Sequence, residues 1–300
     1  MWNVDSRGPA GTTSPGSSLG GVETGSRVPR PRALTIAGSD SGGGAGIQAD
    51  LKTFSALGVF GMTAITAVTV QNTQGVAAVV TLDPEIVAEQ IRAVVSDIGV
   101  DAAKTGMLAS APVVEAVADA LAGSDVPNLV VDPVFVSKHG HPLLEQDAVG
   151  VLRARMLPLA ALVTPNLPEA SGLAGFEVMS QDMMEDAAEA ILAMGPAAVL
   201  VKGGHLARSA RADDLFFDGK RMEWVGAERI DTANTHGTGC TLSSAIAAHL
   251  ARGEELFDAV RLGKGFVTEA IRGAQALGKG IGPVDHLWGI GPDARAARRA

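Results

Sequence analysis

The amino-acid sequence predicts an α/β fold in which a mostly parallel central sheet is flanked by helices and carries a small hairpin at one edge. After about residue 32, short apolar runs alternate with longer amphipathic runs, which is the pattern of strands joined by helical crossovers. Of the 300 residues, 46% are hydrophobic and 19% are charged, so the chain can build a large core. We therefore expect one domain at 33–300.

Six short apolar runs are the predicted strands, and the segment between the second and third runs is the clearest predicted helix. Asp83 is a suitable N-cap before Pro84, and apolar residues recur at helical spacing through 84–97. The predicted strands are 33–38, 62–71, 102–107, 128–134, 161–166 and 197–202.

The alternation of predicted strands and helices is interrupted at 211–227. Two apolar runs on either side of Asp218 and Gly219 predict a hairpin with a tight turn, which we place at an edge of the sheet. The remaining chain predicts two helices, one that begins near Gly237 and one at about 254–276.

The composition limits the classes of partner that the protein can bind and indicates its compartment. A net charge of -9 and a pI of about 5.1 argue against a general attraction to nucleic acid or to anionic membranes. No apolar run approaches the roughly 20 residues that a bilayer span needs. Cys240 is the only cysteine, which favours a reducing compartment, the cytoplasm. Residues 1–32 are rich in Gly, Ser and Pro without an apolar segment, and they predict a disordered tail.

A glycine-rich segment, GSDSGGGAGIQAD at 38–50, follows the first predicted strand and opens a helix. A strand, a glycine turn and a helix N-terminus together present free backbone N–H groups to a polar ligand. The segment also satisfies the dinucleotide pattern G-x-G-x-x-A. That fingerprint needs an acidic residue at the end of the second strand, where this chain has Gln71 and Asn72. A dinucleotide-dependent oxidoreductase is therefore disfavoured.

Two polar side chains near this turn are candidate substrate contacts. Helical spacing turns Asp50 toward the interior, where it is either an internal hydrogen-bonding carboxylate or a substrate contact. Gln71 lies at the carboxyl end of the second predicted strand, where open α/β sheets bind ligands. Its amide both donates and accepts, which suits a heteroaromatic ring with an amine beside a ring nitrogen. The alternative for Gln71 is a loop cap.

A second glycine-rich segment, NTHGTGCTLSS at 234–244, leads directly into a helix. Gly237 and Gly239 allow the backbone around Thr238 to turn its N–H groups toward one point, where the helix dipole adds positive potential. Such an anion hole stabilises a transferring phosphoryl group. Cys240 lies in the first helical turn, where a thiol pKa tends to fall. It either accepts a substrate proton, orients a hydroxyl group or packs as a small residue.

Three other predicted strands end in polar residues that suit phosphates and a metal ion. Asn166 and Glu169 follow one strand at the start of a helix, and oxygen ligands on such a turn suit Mg²⁺. Lys202 ends another strand and is available for nucleotide phosphates, while Asp132 ends a third and is a further metal candidate. The near match to G-x-x-x-x-G-K-[ST] at 273–280 is rejected, because a glycine replaces the hydroxyl residue and the segment follows a helix.

Taken together and in this order, the motifs resemble those of the hydroxymethylpyrimidine/phosphomethylpyrimidine kinase family of thiamine biosynthesis, from about residue 33 to the C-terminus. The resemblance implies a ribokinase-like fold and two successive ATP-dependent transfers. The first is to the alcohol of 4-amino-5-hydroxymethyl-2-methylpyrimidine, and the second is to the resulting monophosphate. The motifs are GSDSGGGAGIQAD at 38–50, VQNT at 70–73, KTGM at 104–107, TPNLPE at 164–169, KGGH at 202–205, THGTGC at 235–240 and GKGIGP at 278–283.

The resemblance also implies ATP and Mg²⁺ as cofactors, a homodimer, and a role for each candidate residue. In the wider ribokinase-like group, an Asp usually serves as catalytic base at the position of Cys240. A cysteine at this position agrees with the pyrimidine-kinase branch. The implied roles are the pyrimidine pocket for Gly38, Asp50, Gln71 and Met107, the anion hole for Gly237, Thr238, Gly239 and Cys240, the nucleotide site for Asn166, Lys202 and Thr235, and the metal region for Asp132 and Glu169.

Two other functions remain open at this point. Some pyridoxal kinases resemble the same branch closely and share the cysteine, so a pyridoxal or pyridoxine kinase is the second hypothesis. A pyrimidine or nucleotide binder without catalytic activity is the third.

Overall fold

The computed structural model describes residues 29–137, 140–145, 147–204, 206 and 211–290. Most of the tail predicted at 1–32 lies outside the described residues, and its boundary needs a correction. Arg32 is the first residue of strand β1 (Arg32–Ser39), and its guanidinium lies 2.6 Å from the Asp101 carboxylate. Strand pairing and this ion pair therefore hold Arg32 in the fold.

The strands form one sheet. Within the described residues these are β1, β2 (Phe60–Asn72), β3 (Gly75–Thr81), β4 (Ala102–Thr105), β5 (Leu129–Val131), β6 (Leu162–Val163), β7 (Val199–Lys202), β8 (Asp214–Phe217) and β9 (Met222–Val225). Their order is β3-β2-β1-β4-β5-β6-β7-β8-β9. Strands β1, β2 and β4 to β7 are parallel, and β3, β8 and β9 join through antiparallel pairs. The six predicted parallel strands and the edge hairpin are confirmed.

Strand β3 is absent from the sequence-based prediction. It pairs with β2 across a short turn, in which the Asn72 side chain accepts a hydrogen bond from the Gln74 amide at 2.8 Å. No residue of β3 is fully buried, although the strand is almost entirely apolar. An edge strand without fully buried residues lacks the alternation of apolar and polar residues by which half-buried strands are recognised.

Helices cover both faces of the sheet. They are α1 (Gly46–Ala56), α2 (Pro84–Asp97), α3 (Ala111–Ala122), α4 (Ala148–Val151), α5 (Leu167–Ala174), α6 (Gln181–Leu192), α7 (Thr238–Ala251) and α8 (Leu256–Arg272). One core lies between the sheet and helices α2 to α6, and a second lies between the opposite face and α1, α7 and α8. Helix α7 is buried along most of its length, between the sheet and α8. The α/β class with helices on both faces is thus confirmed.

Local signals explain where several helices begin. The Asp83 carboxylate accepts from the Glu85 amide at 2.9 Å before Pro84, as the N-cap prediction requires. Helix α5 begins with a full capping box between Asn166 and Glu169.

The described helices include none with the length and apolar character needed to cross a bilayer. One continuous sheet joins strands from both halves of the described chain.

Candidate active site

The carboxyl ends of the parallel strands gather most of the candidate residues at one edge of the sheet. Parallel strands end at the same edge, and open α/β sheets bind their ligands there. The N-terminus of α7 lies at this edge as well, beside the start of α1. The residues at or just beyond these strand ends are Gly38, Gln71, Met107, Asp132, Asn166 and Lys202.

The two glycine-rich segments are in direct contact. Gly237 has a φ of +82° and is the N-cap of α7. A β-carbon on Gly237 would lie 1.8 Å from the carbonyl oxygen of Gly44, so only glycine fits. A β-carbon on Gly44 would in turn lie 2.5 Å from Cδ2 of His236. The turn after β1 and the turn before α7 therefore form one surface.

Asp40 organises this surface. Its carboxylate accepts from the amides of Gly42 at 2.8 Å, Gly44 at 3.0 Å and Ala45 at 2.8 Å. It also accepts from His236 Nε2 at 2.9 Å. Burial disfavours its charged form, but the hydrogen bonds from His236 and the backbone outweigh burial and lower the pKa of Asp40. The sequence prediction missed this role; the available signal was an Asp that precedes glycines, an arrangement typical of side-chain capped turns.

Gln71 projects into the cleft beside this network. Its amide nitrogen lies 3.3 Å from His236 Nε2, and its amide oxygen lies 3.3 Å from the Thr69 hydroxyl. The Asp40 carboxylate only accepts, so the Nε2 proton of His236 points to Asp40 and not to Gln71. Within the described residues the Gln71 side chain has no contact shorter than these, which leaves its amide for a ligand.

A small apolar wall lies near the carboxyl ends of β1 and β4. A β-carbon on Gly38 would lie 3.1 Å from the sulfur of Met107, so the two residues are neighbours. Met107 packs with Ala67 and Ala109 in a small cluster apart from the two cores. A flat ring could lie against this wall with its polar edge toward Gln71.

Asp50 lies beneath the cleft. Its side chain is fully buried, and Lys104 Nζ lies 3.1 Å from each carboxylate oxygen. The hydroxyls of Thr35 and Ser244 donate to it at 2.6 Å each. These contacts are those of an internal hydrogen-bonding carboxylate. A direct substrate contact by Asp50 would require this cluster to open.

The start of α7 offers free amides. Thr241 N–H bonds to the Gly237 carbonyl at 2.8 Å, and Thr238 N–H has only a 3.4 Å contact with the Thr235 carbonyl. In the described part of the chain, the Gly239 and Cys240 amides have no protein acceptor, and no side chain caps the helix. These amides and the helix dipole form a site for an anion.

The thiol of Cys240 departs from the expectation for a helix start. Burial raises its pKa to about 11, although the nearby Lys104 ammonium acts in the opposite direction. The expected fall in the pKa of Cys240 is therefore wrong. The physical reason is that desolvation of a thiolate outweighs the helix dipole and one buried cation. Cys240 is a neutral thiol near pH 7.

Lys202 joins the phosphate and metal candidates to the anion hole. Its ammonium lies 2.8 Å from Asp132 and 3.8 Å from Glu169. A β-carbon on Gly239 would lie 3.5 Å from Lys202 Nζ and 3.6 Å from Asp132 Oδ2. Burial lowers the pKa of Lys202, but the two carboxylates outweigh burial and raise it, so the lysine is charged. Burial raises the pKa of Glu169 more than Lys202 lowers it.

The donor chemistry here fits a magnesium ion that arrives with a nucleotide. Mg²⁺ keeps several waters and is commonly held by one or two carboxylates together with substrate phosphates. Asp132 and Glu169 provide the carboxylates, and both lie within 4 Å of the Lys202 ammonium. The described residues contain no group of three or more His, Cys, Asp or Glu side chains that could hold a metal by itself.

An open groove of about 930 Å³ runs between β9 and α8. Strand β9 is parallel to β7, so the groove end at 226–228 lies at the same edge of the sheet as Lys202. Lys264 lines the groove and donates to Asp214 at 2.7 Å, and Asp214 accepts from the Gly203 amide at 3.0 Å. The groove is thus linked to the phosphate region by direct hydrogen bonds.

Known proteins with similar sequences and structures are kinases. The family model described as phosphomethylpyrimidine kinase matches residues 40–285, which include every candidate site residue except Gly38. A hydroxymethylpyrimidine/phosphomethylpyrimidine kinase of Streptomyces coelicolor is 54% identical over 264 residues, which cover 88% of this chain and 97% of that one.

Two solved structures share the fold. A Bacillus subtilis pyridoxal kinase in an ADP complex matches with a TM-score of 0.80 and 40% identity, over 86% of this chain and 98% of its own. A Clostridium difficile phosphomethylpyrimidine kinase matches with a TM-score of 0.72 and 45% identity, over 81% of this chain and 100% of its own.

Proposed function

The chain belongs to the phosphomethylpyrimidine kinase family, and on that premise we propose that its cleft performs both ATP-dependent transfers of pyrimidine activation in thiamine biosynthesis. The first transfer is to the hydroxymethyl group of 4-amino-5-hydroxymethyl-2-methylpyrimidine, and the second is to the monophosphate. The observation that carries this proposal is the open amide pair of Gly239 and Cys240. The pair closely follows His236, the neighbour of Gln71, and Gly239 lies beside the Lys202 ammonium.

The pyrimidine ring lies in the pocket of Gly38, Gln71 and Met107. The Gln71 amide pairs with the exocyclic amine and the adjacent ring nitrogen, and the Met107 side chain packs on the ring face. Asp50 supports the pocket from below through its buried hydrogen bonds. The hydroxymethyl group then points to the start of α7.

In the transfer, the alcohol oxygen forms a bond to the γ-phosphorus, the bond from that phosphorus to the bridging oxygen breaks so that ADP leaves, and the alcohol proton passes to solvent. The charge on the equatorial oxygens is stabilised by the Gly239 and Cys240 amides, which are fixed before the reaction. In a loose transition state the alcohol keeps its proton until late, so strong base catalysis is unnecessary. The neutral thiol of Cys240 therefore orients the hydroxyl group.

The nucleotide phosphates contact Lys202, Asn166 and Thr235, while its base and ribose occupy the end of the β9–α8 groove near 226–228. Mg²⁺ in the region of Asp132 and Glu169 would neutralise phosphate charge. Arrival of phosphate oxygens draws Lys202 from these two carboxylates, which then become available as ligands.

The function is tested by product analysis. Protein incubated with ATP, Mg²⁺ and hydroxymethylpyrimidine is expected to yield the monophosphate and then the diphosphate, with one ADP released for each transfer. A solved pyridoxal kinase has a similar fold, so pyridoxal is the alternative substrate to test beside hydroxymethylpyrimidine. Rapid phosphorylation of pyridoxal without turnover of hydroxymethylpyrimidine would establish the second function instead, and pyrimidine binding without ADP release would establish a non-catalytic binder.

Replacement of Gln71 by Leu is expected to weaken pyrimidine binding by roughly 1 to 3 kcal/mol, because ring donors and acceptors lose their partner. Calorimetric titration with hydroxymethylpyrimidine measures the change. Gln74→Leu is the matched control, since it makes the same chemical change on the exposed β2–β3 turn. Equal affinities of the two variants would remove Gln71 from the pocket.

We also propose a homodimer formed through the outer face of β2 and β3. Val68 pairs with Val80, and Val70 pairs with Ala78. Val68 is 47% exposed, Val80 is 64% exposed and Val70 is 60% exposed. A contiguous apolar face of this kind suits a second copy of the chain. Light scattering should give twice the chain mass of 30.5 kDa. The double variant Val70→Lys/Val80→Lys should be monomeric.

The exposed apolar Ile86 on α2 provides the control, because Ile86→Lys adds a charge elsewhere on the surface. A dimer that survives the valine substitutions would show that the copies meet at another surface.

The expected compartment is the cytoplasm. Cys240 is a free thiol in the structure, and a free thiol in a substrate cleft is best preserved under reducing conditions.

A further inference from the structure

A buried ion pair lies close to the anion hole. Its contribution to the free energy of unfolding does not by itself explain why it is there. Lys104 on β4 and Asp50 on α1 are both without solvent exposure. Burial disfavours the charge of Lys104, but Asp50 outweighs it, and the pKa of Lys104 lies above its usual value. Two buried charges lose their hydration, so a pair of this kind is often no more stabilising than apolar residues of equal volume.

The carboxylate of Asp50 joins two layers of the fold. Thr35 Oγ1 donates to one of its oxygens and Ser244 Oγ to the other, both at 2.6 Å. Thr35 lies on β1 directly beside Lys104 in the strand register, whereas Ser244 lies on α7. One hydrogen bond therefore ties Asp50 to the sheet, and a matching one ties it to the helix that carries the anion hole.

Ser244 follows Cys240 by one helical turn, so both side chains lie on the same face of α7. Lys104 lies on β4, which packs against α7, and its charge acts on the Cys240 thiol. The groups that act on the Cys240 thiol are the Gly46 amide and Asp50 from α1, Lys104 from β4 and Asp132 from the end of β5. The cluster thus borders the reacting group without reaching the cleft surface.

We propose that Lys104, Asp50 and Ser244 position the start of α7 for phosphoryl transfer: the ion pair fixes Asp50, Asp50 fixes Ser244, and Ser244 holds the helix turn that carries the Gly239 and Cys240 amides. This inference rests on the proposed function in one respect, that these amides bind the transferring group. None of the three positioning residues touches the substrate. Their loss therefore lowers the rate at saturating substrate more than it lowers affinity.

Two matched variants test the proposal. Ser244→Ala removes the hydrogen bond from α7 to Asp50, and Thr35→Val removes the equivalent hydrogen bond from the sheet. Both residues are fully buried, both bonds measure 2.6 Å, and both substitutions keep the ion pair. Ser244→Ala is expected to lower kcat about 10-fold with KM values within about 2-fold of the parent. Thr35→Val is expected to leave kcat within about 2-fold at a similar cost in Tm.

A second readout requires no substrate, so it separates this inference from the proposed function. Cys240 is the only cysteine, and its alkylation by iodoacetamide reports on the start of α7 alone. We expect Ser244→Ala to change the alkylation rate about 3-fold or more across the pH profile and Thr35→Val to leave it nearly unchanged. Equal changes in both variants, or none in Ser244→Ala, would overturn the proposal even if the kinase activity is established.

The ion pair is tested by the neutral double variant Lys104→Met/Asp50→Asn, which keeps the volume of the cluster and avoids one unpaired buried charge. We expect a folded protein by circular dichroism with kcat reduced more than in Ser244→Ala. Parent-level kcat in this double variant would show that the pair has no positioning role.

Discussion

Replacement of Gly237 by Ala is expected to lower kcat/KM by about 100-fold or more, since displacement of reacting groups by about 1 Å has effects of this size. The substituted β-carbon would lie 1.8 Å from the Gly44 carbonyl oxygen, so the turn before α7 and the turn after β1 must separate. The φ of +82° adds strain for any residue other than glycine. Steady-state kinetics with hydroxymethylpyrimidine and ATP measures the loss.

Gly253→Ala separates the clash from the strain. Gly253 has a φ of +87° but nothing within 4 Å of an added β-carbon, and it lies just past the far end of α7. This variant is expected to lose some stability from its backbone conformation and to retain kcat/KM within about 2-fold. Similar activity losses in the two variants would mean that backbone strain, and not contact between the turns, determines the effect.

Substitution of Lys202 by Met is the second change with a large expected effect, a loss of about 100-fold or more in kcat/KM. The largely buried ammonium group lies beside Gly239, one of the two residues that provide the free amides. A charge preorganised in a site that excludes water is worth far more to a phosphoryl transition state than one in solvent. Kinetics with varied ATP should show a raised KM together with a lowered kcat.

Lys52→Met provides the control for Lys202. Lys52 is an exposed lysine whose ammonium donates to the Gly43 carbonyl at 2.6 Å, so it lies on the rim of the same cleft. Its removal changes the net charge equally without removing a phosphate contact, and kcat/KM should stay within about 3-fold. Hydroxymethylpyrimidine affinity, measured by calorimetry, should be unchanged in both variants. A Lys202 variant as active as the control would place the phosphates elsewhere.

The parallel strands and the edge hairpin were predictable because their signals are local. Buried strands appear as short apolar runs, and Asp218 with Gly219 supplies turn chemistry that no tertiary contact needs to create. Strand β3 was not predictable in the same way, because its register depends on pairing with β2 and none of its residues is fully buried. Arg32 was assigned to the tail because its partner Asp101 is distant in sequence.

The same distinction explains the site. Gly237 and Gln71 could be chosen from sequence because a glycine-rich helix start and the end of a strand are local features. The role of Asp40 was missed because it depends on a hydrogen bond with His236. The two residues are distant in sequence, and only the fold brings His236 Nε2 within 2.9 Å of the Asp40 carboxylate. The pKa of Cys240 was expected to move in the wrong direction, since desolvation is a property of the packed protein and not of the position in the helix.

The contact between the two glycine-rich turns has a thermodynamic consequence. The Asp40 carboxylate accepts hydrogen bonds from amides of the turn after β1 and from the imidazole of His236 in the turn before α7. The positions of the two turns are therefore coupled. We expect a pyrimidine that immobilises one turn to lower the entropic cost of binding the nucleotide. By linkage, a bound nucleotide then strengthens pyrimidine binding by the same free energy. We therefore expect the two substrates to bind with positive cooperativity through the buried Asp40 carboxylate, which calorimetric titration of each substrate in the presence of the other would measure.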